Sequence, residues 1–140
     1  MGGNRLTIRV AAAETGGRCS VVDFEVAPGF VAPPIRHRHH DMDWHAVVTD
    51  GELAFDLDGE ERRVRTGGVV YVPRGTAFRW WNASRDHAAR WMITYVPGGF
   101  EQYFVELVAA VRALGRVPTP PEMGALAAPL WKKHGVEVLS

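Results

Sequence analysis

Four of the six histidines lie within Arg36-His37-Arg38-His39-His40-Asp41-Met42-Asp43-Trp44-His45. In an extended segment, residues two apart share a face, so His37 and His39 point together while Arg38 and His40 point away. Two imidazoles on one face can bind a metal, or one can take a proton while its neighbour gives one. The same spacing also describes a solvated polar turn between strands. Which it is depends on the elements that hold the pair.

From Leu6 to about Tyr95 the chain is a series of short apolar or alternating runs broken by Gly, Pro, Asn and Asp. Strands are expected at Arg18 to Val26, His45 to Thr49, Glu52 to Leu57, Arg62 to Arg65, Val69 to Val72, Ala77 to Trp81 and Arg90 to Tyr95. Asp50-Gly51 and Asp58-Gly59 are hairpin dipeptides, and Pro73-Arg74-Gly75 ends a strand abruptly. Many strands at this spacing predict an all-β antiparallel sandwich or small barrel. After Pro97-Gly98-Gly99 the period changes. Phe100, Phe104, Leu107, Val108, Val111 and Leu114 mark an amphipathic helix that Gly115 ends. A stiff Pro118 to Pro121 linker leads to a second helix starting near Pro121, with Leu126, Leu130 and Trp131 inward as far as His134-Gly135. Pro129 falls within it as a point of kinking. The expected organisation is one domain, with residues 1–97 a barrel and 98–140 a C-terminal helical extension packed on it as a cover.

Composition limits the partners. At 140 residues the chain suits a single core, and 46% hydrophobic with 23% charged residues is globular in character. Sixteen basic residues balance sixteen acidic ones, which gives no field for nucleic acid or an anionic membrane. Cys19 is the single cysteine, so neither an internal disulfide nor a thiolate zinc site forms within the chain. No run approaches the roughly 20 apolar residues of a membrane span. The expectation is a cytoplasmic protein whose partner is a small molecule.

Two motifs carry a family resemblance. Pro33 to His39, with Asp43 and the run to Gly51-Glu52-Leu53, is similar to the first cupin motif, G-x5-H-x-H-x3,4-E-x6-G. Gly67 to Asn82 is similar to the second, G-x5-P-x-G-x2-H-x3-N, with Gly67, Pro73, Gly75 and Asn82 at the motif spacing. The tail Pro97 to Glu101 further resembles quercetin-dioxygenase-like cupins. The resemblance covers nearly the whole chain and implies a jelly-roll barrel of six to eight strands with C-terminal helices, assembled as a homodimer. In metal-binding cupins three histidines and a glutamate hold one Fe, Mn, Ni, Cu, Co or Zn ion. His37 and His39 match the first two positions, but Trp44 stands at the glutamate and Phe78 at the last histidine. Seven residues rather than five separate Gly29 from His37. The expected cofactor is therefore none. The alternative is a divalent transition metal on His37, His39 and Asp43, with Asp43 brought inward by a bulge.

The departures suggest a ring-lined pocket. Trp44, Phe78 and Trp80 have the parity to share the interior, joined from neighbouring strands by Tyr71, Trp91, Met92 and Tyr95. His37 and His39 become acid-base or hydrogen-bonding groups, with Arg36 or Arg79 as carboxylate anchors. His40 and His45 face outward, and His87 and His134 are structural. The reading is an enzyme for cyclisation, isomerisation or dehydration of a small, largely apolar natural-product-like substrate. A metal-dependent dioxygenase and a non-catalytic small-molecule binder are the alternatives.

Overall fold

Alternation within each strand decides which face it buries. The computed structural model describes residues 3–31 and 36–139, so the expected Pro33 to Ile35 part of the first motif lies outside the described residues. Among the described residues the strands are β1 (Arg5–Val10), β2 (Ser20–Val26), β3 (His37–His39), β4 (Asp43–Asp50), β5 (Glu52–Leu57), β6 (Glu60–Arg65), β7 (Val69–Val72), β8 (Phe78–Trp81), β9 (Ala89–Val96) and β10 (Val136–Val138). They form two antiparallel sheets, ordered β1-β2-β9-β4-β7 and β10-β3-β8-β5-β6. Val22, Phe24 and Val26 of β2, Trp44, Ala46 and Val48 of β4, and Trp91, Ile93 and Tyr95 of β9 are buried at every second position. These residues make the jelly-roll core between the sheets.

The turn dipeptides act as their chemistry requires. Asp58 and Gly59 both take positive φ, 51° and 91°, the geometry of a tight two-residue hairpin between β5 and β6. Gly51, at φ 81°, joins β4 to β5, and a Cβ there would lie 2.9 Å from the Ala88 carbonyl oxygen. Strand β6 is an edge carrying Glu60, Glu61, Arg62, Arg63 and Arg65, with Val64 buried, and its charges discourage pairing with another chain.

Helix α1 (Glu101–Leu114) ends at Gly115 in the left-handed conformation, as its sequence predicts, although Leu114 is exposed rather than inward. Helix α2 (Pro120–Lys133) begins one residue before the expected Pro121. Thr119 caps it by accepting from the Glu122 amide, and Glu122 returns a bond from the Thr119 amide, with Pro120 in the first turn. Pro129 lies within the helix. The C-terminal extension is not wholly helical. Beyond Gly135 the chain becomes β10 and pairs with β3, setting Val136 opposite His39 and Val138 opposite His37. The ten strands among the described residues exceed the expected six to eight.

Candidate functional site

The site begins with β3 and β8, whose register sets His37 opposite Phe78. The His37 ring lies 4.2 Å from Phe78 and 6.0 Å from His39. His39 is only 5% exposed; it stacks on Phe78 at 5.5 Å and receives the edge of Phe100 at 4.6 Å. Burial among these rings pushes the His39 imidazole down to about 3, with the charges of His37 and His40 adding to the effect. At neutral pH it is uncharged, and its Nδ1 has no hydrogen-bond partner among the described residues. His37 is half-buried, and the Trp131 ring lies parallel to it at 6.4 Å.

Aromatic rings extend from this pair through the barrel. Trp44 meets Phe78 at 5.1 Å and Trp91 at 5.8 Å, both edge to face. Trp91 meets Trp80 at 5.0 Å, and Trp80 meets Phe24 at 5.6 Å. The structure thus brings Trp44, Phe78, Trp80 and Tyr95 into one cluster with the histidines. Trp44 and Phe78 are each 3% exposed, so both rings are buried in the core. Burial also drives the Tyr95 phenol upward, keeping it protonated. Two of the clefts among the described residues lie at the periphery. One, of about 190 Å³, is lined by Val31, Arg79, Trp80 and Trp81. The other, of about 210 Å³, runs between Met42, Phe100, Lys133 and His134.

Four expected pocket residues lie elsewhere. Tyr71 pairs with His45 across β7 and β4, shares its outward face and is 57% exposed. Met92 pairs with Asp23 and Val47 on the outer side of its sheet, because Trp91 takes the inward position. Arg36 and Arg79 converge instead on the Asp56 carboxylate, at 3.0 and 3.4 Å, and the Arg79 guanidinium covers Trp81 at 5.3 Å. Burial raises the Asp56 carboxyl, but the Gly59 amide and these two arginines outweigh it and hold the group low.

Asp43 also turns outward. It accepts from the Arg74 amide at 2.8 Å and from Arg74 Nε at 3.1 Å, and Arg74 holds its carboxyl below the usual range. The alternative ligand set of His37, His39 and Asp43 is therefore not assembled. Among the described residues no three His, Cys, Asp or Glu side chains stand together as ligands. Two imidazoles beside two hydrophobic rings do not fit a divalent cation. His45 and His87 are exposed, and His40 and His134 pair with Glu137 and Glu106, each at 2.7 Å.

The motif positions that match the resemblance hold backbone. The Gly75 amide donates to the His39 carbonyl at 2.8 Å, and the Asn82 side chain donates to the carbonyls of Ala27 and His87. The cover over the histidines was less legible. Trp131 Nε1 donates to the Tyr103 hydroxyl at 2.6 Å, and Tyr103 stacks on Phe100 at 5.1 Å. The helical period of α1 signalled one apolar face but not its seat against His39.

Comparisons with known proteins agree with this geometry. A family profile described as "Cupin domain" matches residues 22–95. "Phomopsin biosynthesis cluster protein C'" of Diaporthe leptostromiformis is 32% identical over 97 residues, covering 69% of this chain and 50% of that protein. "Oryzines biosynthesis cluster protein J" of Aspergillus oryzae is 40% identical over 57 residues, 41% of this chain and 31% of that protein. The chain therefore spans half or less of the length of these relatives. Among solved structures, KdgF from Halomonas sp. superposes with a TM-score of 0.61 at 19% identity, covering 71% of this chain and 84% of that one. The Schizosaccharomyces pombe Cnp3 cupin domain does so with a TM-score of 0.58 at 14% identity, covering 74% and 66%. With the profile spanning more than half of its length and the two sheets built as a jelly roll, the chain belongs to the cupin family.

Proposed function

We propose that this cupin is an enzyme of natural-product biosynthesis that converts a small, largely apolar substrate without a resident metal. The observation that carries the reading is the His37/His39 pair enclosed by aromatic rings, with Trp44 and Phe78 where the resembled family keeps ligands. The relatives named for phomopsin and oryzine biosynthesis clusters support the biosynthetic setting.

The two histidines take different parts. His39, buried and uncharged, offers hydrogen bonds to a polar group on the substrate. His37, half-buried between Phe78 and Trp131, is placed to exchange a proton with substrate and solvent. In an isomerisation or cyclisation the proton that His37 removes from one carbon returns to another, and the formula is unchanged. In a dehydration it leaves with the departing hydroxide as water. Neither route requires an oxidant. The rings fix the reactive conformer, and such positioning supplies a large part of a rate enhancement.

The substrate can be found by deleting the gene in its native producer and isolating the compound that accumulates. The purified protein should convert that compound in the presence of a chelator, and His37→Gln should slow conversion about 100- to 10,000-fold, the range for a lost acid-base group. Undiminished conversion by both His37→Gln and His39→Gln would remove the acid-base roles, and loss with chelator alone would return the chemistry to a metal.

A further inference from the structure

The cleft of about 210 Å³ beside the barrel holds a titratable cluster that the proton chemistry of His37 and His39 does not use. His134, which caps the C-terminus of α2, lines it together with Lys133, Asp41, Met42 and Phe100. Met42 and Phe100 are 6% and 7% exposed and give the cleft an apolar wall. From α1, Glu106 reaches both basic residues: one carboxylate oxygen lies 2.7 Å from His134 Nε2, and the other accepts from Lys133 Nζ. The bonds from Lys133 and His134 hold the Glu106 carboxyl below the usual range. An ionised carboxylate keeps the ring proton on the nitrogen that faces it, so in the neutral imidazole Nε2 is the donor and Nδ1 the basic nitrogen. Nδ1 has no hydrogen-bond partner among the described residues. A histidine oriented by a carboxylate, with its second nitrogen unengaged at a cleft, is the arrangement of a general base.

We propose that this cleft is a second acid-base site, separate from the barrel, in which His134 Nδ1 removes a proton from a compact, neutral, largely apolar molecule. Met42 and Phe100 suit an apolar body, and the Lys133 ammonium in the same cleft favours a substrate whose deprotonation places negative charge on oxygen. A carbonyl compound with an acidic C–H is of that class. In the step the C–H bond breaks, its electron pair forms the carbon–carbon double bond of an enolate, and the carbonyl pair moves onto oxygen. The proton stays on Nδ1 until it returns to the same or another carbon, so nothing is oxidised or reduced. The Asp41 carboxylate, which also lines the cleft, repels an anionic ligand and restricts the substrate to a neutral one. Phe100 stands between this site and the barrel pair, its ring 4.6 Å from His39 and 6.4 Å from His134. The second site therefore holds or fails independently of the barrel chemistry.

The test uses nitrobenzisoxazole, a neutral and compact bicyclic probe for a general base. When a base removes the C–H of its isoxazole ring, that electron pair forms a nitrile, the N–O bond breaks and its pair passes to oxygen. A coloured phenolate results with no other reactant. The full chain should open the probe faster than buffer does, with saturation, and His134→Ala should reduce that excess about 10-fold or more. Imidazole added to His134→Ala should restore part of the excess beyond its own rate in buffer. His87→Gln, at an exposed position outside both sites, should match the wild type. A wild-type rate no higher than that of buffer would overturn the second site. So would a loss in His134→Ala that imidazole does not restore, which would show His134 to be a clamp between α1 and α2 and nothing more. A loss in His37→Gln or His39→Gln with His134→Ala unaffected would overturn it as well and would assign the turnover to the barrel.

Discussion

His39 shows how far burial alone can set the chemistry of a residue. Its side chain has the same formula as that of exposed His45, yet Phe78 and Phe100 hold it in its neutral form. The folded-state value near 3 lies below the ordinary histidine value of about 6.5, so between these limits the unfolded chain binds a proton that the folded chain does not. The stability from this group is complete above pH 6.5 and is lost as pH falls toward 3. Between pH 6.5 and 5, unfolding free energy measured in urea should fall by up to about 1.4 kcal/mol per pH unit. In His39→Gln the slope should be flatter, whatever the absolute stability of the variant. An unchanged slope would mean that His39 is hydrated in the folded protein. The sequence placed His39 inward by parity with His37, and it placed Trp44, Phe78 and Trp80 likewise. It could not choose between Trp91 and Met92, because both are apolar neighbours and only the pairing of β9 with β2 and β4 settles which faces the core. The same holds for Tyr71 in Val69–Val72, where every side chain is apolar and alternation gives no signal.

At the scale of elements, the barrel and its C-terminal cover are joined through one buried carboxylate. Glu101, in the first turn of α1 and 0% exposed, accepts from the Ala12 amide at 2.7 Å and the Gly99 amide at 3.0 Å. Burial raises its carboxyl, but these bonds and the Ser20 hydroxyl outweigh that effect and keep it charged. Glu101→Ala should lower the unfolding free energy by about 3 kcal/mol, since two buried amides lose a charged acceptor. A loss well under 1 kcal/mol would show that solvent takes its place. The far end of the cover is held by the Trp131 bond to Tyr103, the ion pairs of Lys133 and His134 with Glu106, and the pairing of β10 with β3. Removing residues 136–140 takes away that pairing and should leave the rings more open to solvent, read as stronger acrylamide quenching of tryptophan fluorescence. Quenching equal to the full chain would show that the helices close the barrel unaided. The helices were legible because apolar residues recur at helical steps before Gly115 in α1, and Pro121 marks the first turn of α2. Strand β10 was not legible: three residues following a helix carry no period, and their partner is nearly a hundred positions away.

At the scale of the whole molecule, the matching cupin motif residues hold backbone, while Trp44 and Phe78 stand where the family resemblance expects metal ligands. Gly51, Gly75 and Asn82 still turn and fasten the loops, whereas Trp44 and Phe78 place rings beside the histidine pair. His39 is poorly equipped as a ligand. A metal-bound histidine donates its second ring nitrogen to an acceptor, and loss of that support alone weakens binding about 10- to 100-fold. Among the described residues His39 Nδ1 has no such partner, and Asp43 is occupied by Arg74. With rings also at the two further positions where the resemblance expects ligands, affinity should fall well below that of a complete site. Elemental analysis of protein purified without chelator, and again after incubation with iron, manganese or zinc, should therefore find much less than one metal per chain. A near-stoichiometric metal that His37→Gln or His39→Gln removes would show that Asp43 or water completes the shell after rearrangement. The proposed proton chemistry would then give way to a metal-centred reaction, while the jelly roll and its ring cluster would remain the frame that positions it.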